Sequence, residues 1–250
     1  MISLKNEKQI ESMKRAGRIT GEALLVAREA IRPGVTTKHL DDLIRHYIEK
    51  CGARPSFLGY GGFPGSACIS VNSQIIHGIP SPNVVLKEGD IVKVDVGAYI
   101  DGFHGDAART YAVGKISDAA ERLIRVTEES FMKGIEQIKD GNRLGDLGAA
   151  IQAHAEKNGY SVVRKYVGHG VGHDLHESPD VPNYGTPGRG QRFIPGMVIA
   201  VEPMVNEGTA DIIEASDGWT VRTADGKLSA HYENTVAITQ DGILLLTKYD

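Results

Sequence analysis

Laid over itself with Arg18 on Arg125, the chain repeats. Residues 18–52 align with residues 125–159, and eleven of these 35 positions are identical, where about two are expected from average composition. The matches include Arg18/Arg125, Thr20/Thr127, Glu22/Glu129, Ile31/Ile138, Leu40/Leu147 and Ile44/Ile151. Each copy reads as a long amphipathic helix, a turn marked by Gly34 or Gly141, and a second helix stopped by Gly52 or Gly159. The same offset returns further on, where Gly89, Val94 and Asp95 lie over Gly196, Val201 and Glu202. In each copy a glycine opens a buried, β-branched strand that ends in a carboxylate. Two helices followed by strands, twice over, predict an α+β fold with approximate two-fold symmetry. The 250 residues read as a single domain over 1–250 with related halves at approximately 1–115 and 116–250. Carboxylates ending equivalent strands meet near the axis, and a fold has no purely structural need to bring two such charges together.

A chain of this length buries roughly three quarters of its unfolded surface and needs no disulfide staples. Its two cysteines, Cys51 and Cys68, read as free thiols in a reducing compartment. The net charge of −4 offers no footprint for stable nucleic-acid binding. The N-terminal segment is charged from residue 5 and lacks the apolar core of a signal peptide. The longest aliphatic runs, 23–27 and 197–201, are too short to span a bilayer. These features predict a cytoplasmic protein with no membrane partner, and a monomer by default.

Asp95 and Asp106 fall in KVDVGAYIDGFHGDAARTYAV, where Asp101-Gly102 is a strong two-residue hairpin signal. With that pair in the loop, Ile100 faces Phe103 and Gly97 faces Asp106, so Asp95 becomes a diagonal neighbour of Asp106 on one face. Two carboxylates on one buried face repel unless a cation or a shared proton lies between them. Lys93, on the same face, offers a salt bridge instead, and a solvated hairpin with incidental acids also fits this segment alone. His169 and His176 lie in YVGHGVGHDLHESP, where glycines argue against a helix and hence against a helical zinc-binding pair. Taken singly, such a histidine also reads as a hydrogen-bonded loop or core residue. Glu202 ends the apolar run MVIAVEPMV, and buried, ionised and unpaired it would cost several kcal/mol. Glu233 lies in LSAHYENTVAIT, read as one alternating strand that puts it on a face with His231 and Thr235. Four carboxylates and one imidazole suit hard or borderline divalent ions, and carry enough charge for two of them.

In their order and contexts, Asp95, Asp106, His169, Glu202 and Glu233 closely resemble the metal-ligand set of the methionine aminopeptidases. The similarity runs over nearly the whole chain and includes WTVRTADGKLSAHYE. The short interval from His176 to Glu202 and the early first helix, with no zinc-binding or ribosome-docking extension, resemble the minimal bacterial type I form. The resemblance implies a "pita-bread" fold, two pseudo-symmetric α+β halves around a dinuclear site. It implies that Asp106 and Glu233 bridge two divalent metal ions (Fe²⁺, Mn²⁺, Co²⁺, Zn²⁺ or Ni²⁺), that Asp95 completes one, and that His169 and Glu202 complete the other.

It further implies an exopeptidase that removes the initiator methionine of nascent polypeptides, preferentially before a small second residue, with any ribosome contact transient. On that resemblance a metal-held hydroxide would attack the first peptide bond, Glu202 would move the proton, His176 would meet the developing oxyanion, and His77 would hold the scissile or next amide. The methionine pocket falls on Phe57, Tyr60, Phe63, Cys68, Leu175 and Trp219, an apolar and soft lining suited to a thioether. Phe57 stands where a small thiol is frequent and Leu175 where an aromatic is. His173 is an additional imidazole with no assigned role and an expected surface position. An Xaa-Pro peptidase of the prolidase kind shares the fold and ligand set but usually carries a further N-terminal domain. A non-catalytic binding protein on the same scaffold is the other alternative, and such relatives lose ligands.

Overall fold

The computed structural model of the chain describes residues 2–248. Among these residues, four α-helices, α1 (Glu7–Ala30), α2 (Thr37–Lys50), α3 (Asp118–Ile135) and α4 (Leu144–Lys157), flank four β-sheets. Helices α2 and α4 begin and end at equivalent positions of the internal repeat, Thr37 matching Leu144 and Lys50 matching Lys157. The turn glycines Gly34 and Gly141, and the stop glycines Gly52 and Gly159, all take the left-handed conformation, which a side chain would strain. The equivalence extends to side chains. Tyr47 on α2 donates to Glu22 on α1, and His154 on α4 meets Glu129 on α3, at matching positions of the two copies. Starts are set by capping: Asn6 and Gln9 form a capping box on α1, and Thr36 and Ser117 cap α2 and α3.

The first-half sheet is built on a hairpin of strands Ile91–Ile100 and Phe103–Ala112. Asp101 and Gly102 both have positive φ, the geometry of a tight primed turn. That turn sets the predicted register, with Ile100 opposite Phe103 and Gly97 opposite Asp106. Strand Ala67–Val71 pairs along the other edge and sets Cys68 opposite Asp95. Beneath α1 and α2 lies a core of Ile19, Leu40, Ile44, Val92 and Val94. Its counterpart contains Phe131, Leu147, Ile151, Val201 and Val236. Truncating a fully buried leucine such as Leu40 to alanine costs about 2–5 kcal/mol.

The second half departs from the first where its strand meets proline. Strand Val198–Val201 starts at the position equivalent to Ile91 and sits in a five-stranded sheet between Gly168–Gly170 and Asn234–Thr239. Pro203 has no amide to donate, so the ladder ends at Val201. The chain resumes as Met204–Asn206 in a different, three-stranded sheet beside Ser229–His231. The return crossing corrects the reading of residues 228–239 as one strand. Ser229–His231 and Asn234–Thr239 belong to separate sheets, and Tyr232 and Glu233 fall in the step between them. There the Tyr232 amide donates to Pro203 O at 3.2 Å and the Glu233 amide to Ala108 O at 2.9 Å. Glu202 and Glu233 thus both stand where the chain changes sheets.

Candidate metal centre

The five predicted donors come from five separate places in the chain and converge. Asp95 and Asp106 share one face of the first-half hairpin, with Asp95 paired to Ala108 and Asp106 to Gly97. His169 sits mid-strand between two glycines. A β-carbon on Gly168 would lie 2.3 Å from Ala200 O, and one on Gly170 would lie 2.5 Å from Ser178 O, so only glycine lets the neighbouring strands close around the histidine. His169 Nδ1 donates to Gly170 O at 2.9 Å, which leaves the Nε2 lone pair of the neutral ring free. That Nε2 lies 3.5 Å from Glu202 Oε1 and 3.7 Å from Asp106 Oδ2. One donor atom each from Asp106, His169 and Glu233 falls within 4.8 Å of the others, and all three residues are buried.

Burial and mutual repulsion make this cluster costly without a cation. Burial raises the Asp95 carboxyl to about 7. Burial, then the neighbouring carboxylates, push Asp106, Glu202 and Glu233 well above the usual range. Burial, then His176, lowers His169 to about 3, so its ring is neutral and able to ligate. Among the described residues, Asp95 Oδ1, Asp106 Oδ1 and Glu233 Oε1 are buried with no hydrogen-bond partner. Orphaned carboxylate oxygens around a free imidazole lone pair fit divalent cations. Lys93 does not neutralise them. Its amine donates to Asn72 O at 2.6 Å, and burial drives it well below the usual lysine range.

The five donors line a cavity of about 340 Å³, together with all eight other predicted site residues. Phe57, Phe63, Cys68 and Leu175 pack as one buried cluster, with Ile79 and Trp219 against it. Phe63 meets Trp219 edge-on, with ring centres 5.1 Å apart. Burial raises the Cys68 thiol, keeping it protonated and apolar. Since Cys68 is the cross-strand partner of Asp95, the apolar wall and the acidic cluster share one sheet face. On the open side, His176 Nδ1 lies 2.8 Å from the Tyr60 hydroxyl, and its ring centre is 4.0 Å from that of His169. His77 has a left-handed backbone, with φ of 58°, a strained conformation for a residue with a side chain. Its ring stands edge-on to Tyr166 and Trp219.

Residues 11–240 match the profile of metallopeptidase family M24. The chain is 57% identical to the methionine aminopeptidase of Clostridium perfringens over 247 residues, covering 99% of each. The chain belongs to the methionine aminopeptidases. The fold agrees: the crystal structure of the methionine aminopeptidase from Thermotoga maritima superposes with a TM-score of 0.98 at 47% identity, covering 100% of both chains. A prolidase from Pyrococcus furiosus is a more distant likeness, with a TM-score of 0.79 at 25% identity, covering 99% of this chain and 66% of the prolidase. The methionine aminopeptidase fold is thus the α+β pita-bread fold that the internal repeat and the resemblance predict.

Sequence reasoning missed part of this methionine aminopeptidase's cavity. Ile76, Lys165, Tyr166 and Val167 also line it. Tyr166 and Lys165 both bond Glu214 Oε1, at 2.6 and 2.7 Å, on the strand Ile212–Glu214. His231 lies behind the acids, 1% exposed, and burial lowers its ring to about 3. The one signal for it was its place two residues before Glu233. His173 is exposed, as expected, and its Nδ1 donates to Gly102 O at 2.8 Å. No helix among the described residues is long and apolar enough to cross a membrane.

Proposed function

We propose that this chain releases the N-terminal methionine of nascent proteins and peptides, preferentially before a small second residue. The single domain would hold two divalent cations, Mn²⁺, Fe²⁺, Co²⁺, Zn²⁺ or Ni²⁺, between its halves. Asp95 and Asp106 come from the first half, and His169, Glu202 and Glu233 from the second. One observation carries this reading: the donor cluster and the apolar cluster of Phe57, Phe63, Cys68 and Leu175 line the same cavity. Asp95, Asp106, His169, Glu202 and Glu233 would hold the cations. Cations held there supply Lewis acidity and make water nucleophilic at neutral pH.

The chain's own residues do the rest. Buried side chains wall the apolar end, so it takes the first side chain of a peptide and stops it there. Aromatic faces and a protonated thiol suit the methionine thioether, at about 0.3–1.5 kcal/mol per sulfur–aromatic contact. Glu202 takes the proton of the attacking water and delivers it to the leaving amine. The Tyr60 hydroxyl lies 2.8 Å from His176 Nδ1, and by donating there it would leave the His176 proton on Nε2. That N–H meets the carbonyl oxygen as charge develops on it. His77, which burial lowers to about 4, is neutral and holds the amide beyond the scissile bond. Any ribosome contact is transient, in keeping with the chain's net charge of −4.

The test is a competition. The chelator-stripped chain is reconstituted with Mn²⁺ or Fe²⁺ and offered Met-Ala-Ser together with an Xaa-Pro peptide. Release of methionine alone is expected, whereas cleavage of the proline peptide alone would move the chain to the prolidase branch. Stoichiometric cation binding with no turnover of either peptide would make it a binding protein.

A further inference from the structure

Two threonine hydroxyls stitch the halves together at the acidic cluster. Thr235 Oγ1 accepts the Asp106 amide at 3.0 Å and donates to the Asp106 carbonyl at 2.8 Å. Thr110 Oγ1 accepts the His231 amide at 2.9 Å and donates to the His231 carbonyl at 2.9 Å. Between the stitches, the Glu233 amide donates to Ala108 O. The arrangement is reciprocal. His231 stands to Thr110 as the cluster acid Asp106 stands to Thr235, so the pseudo-symmetry aims an imidazole at the cluster from the second half.

Solvent does not reach this imidazole. His231 is 1% exposed, and neither ring nitrogen has a hydrogen-bond partner among the described residues. A neutral imidazole still carries one N–H, and burying it unsatisfied is costly. His231 Nε2 lies 3.8 Å from Glu202 Oε2 and 4.0 Å from Glu233 Oε2. Glu202 divides its oxygens between two rings, with Oε1 toward His169 and Oε2 toward His231. A carboxylate that gives one oxygen to a cation is commonly steadied by an N–H on the other.

We propose that His231 is a positioning residue that gives its Nε2–H to the Oε2 atoms of Glu202 and Glu233, holding both carboxylates in the orientation that captures divalent cations. This rests on the proposed cation site. It does not make His231 a ligand. A side-chain shift of less than about 1 Å closes either distance to an ordinary N–H···O bond.

Calorimetric titration of Mn²⁺ into the chelator-stripped full chain tests the proposal without turnover. Substituting H231L should weaken Mn²⁺ binding about 10–100-fold, and H231Q, which keeps an N–H donor, should stay within about threefold of the parent. Parent-like affinity in the leucine variant, or equal losses in both variants, overturns the inference. Glu233→Gln is the control for the underlying reading: if it binds Mn²⁺ like the parent, the cation site itself is wrong. Long-range ¹H–¹⁵N spectra of the unmodified chain loaded with Zn²⁺ do not depend on any variant folding. A proton on His231 Nε2 is expected, and an Nδ1–H tautomer or a zinc-bound Nε2 would overturn the proposal.

Discussion

The Thr235 hydroxyl holds both backbone polar groups of Asp106, accepting from the amide and donating to the carbonyl. A side chain of the second half thereby fixes a cluster acid of the first. Valine at position 235 keeps the shape and removes both bonds, leaving a buried amide and carbonyl unpaired. The variant T235V should lose about 1–3 kcal/mol of stability, read by urea denaturation of the chelated chain, and serine should restore most of it. A valine variant as stable as the parent would mean the stitch contributes nothing.

The buried acids give the chelated chain an unusual pH response. Their folded-state pKa values are raised, Asp95 to about 7, so their contribution is full below the unfolded carboxyl range and is lost as pH rises through the folded values. The buried histidines act in the opposite sense. Those at 77, 169 and 231 are lowered to about 4, 3 and 3, so their contribution is complete once pH passes the unfolded histidine value near 6.5. From about pH 6.5 to 8.5 the four raised acids oppose and outnumber the one lowered amine, Lys93, whose contribution grows with pH. The melting temperature of the chelated chain should therefore fall across that window. Saturating Mn²⁺ should raise it and flatten the slope, because cation binding favours the ionised acids. A rising curve without metal would contradict this.

Removing the imidazole at position 176 should separate chemistry from metal binding. His176→Ala takes away the N–H aimed at the carbonyl oxygen and none of the proposed ligands. Its kcat should fall about 10²–10³-fold, with calorimetric Mn²⁺ stoichiometry unchanged. Tyr60→Phe leaves the imidazole but frees Nδ1 from its hydroxyl partner, so a smaller loss of kcat is expected. Loss of cation binding in H176A would assign the ring to the metal centre.

Phe57 and Leu175 belong to one buried cluster, at positions where the family resemblance implies a small thiol and an aromatic. Their volumes should therefore be coupled. Leu175→Phe alone overfills the cluster, at about 1–3 kcal/mol, and should raise KM for Met-Ala-Ser. Adding Phe57→Cys should recover much of that loss, a coupling a double-mutant cycle measures. Strictly additive effects would show that the two side chains do not share the pocket.

Local signals in the sequence went far in this chain. Asp101-Gly102 sets the hairpin, and the hairpin sets the face shared by Asp95 and Asp106. Glu202 was legible as a lone charge ending an apolar run. The internal repeat related helices α2 and α4 residue for residue. The failure at residues 228–239 has a physical cause. Alternation reports which side chains are buried and says nothing about which sheet they are paired in, so a crossing that keeps burial intact leaves no mark. The rim formed by Lys165 and Tyr166 was hidden for a related reason: it depends on Glu214, 49 residues from Lys165. No local pattern encodes such a meeting.

The step between sheets at Tyr232 and Glu233 also sets a schedule. Synthesis runs from the N-terminus, so Glu233 is the last of the five proposed donors to be made. A growing chain that has reached residue 230 already contains all four helices and four of the donors. It still lacks Glu233, the Thr235 hydroxyl that pins Asp106, and the strand Asn234–Thr239 that closes beside Val198–Val201. On the proposed site, the protein is therefore without a complete set of cation donors for most of its own synthesis, and a polypeptide stalled short of that strand is a scaffold without its active centre.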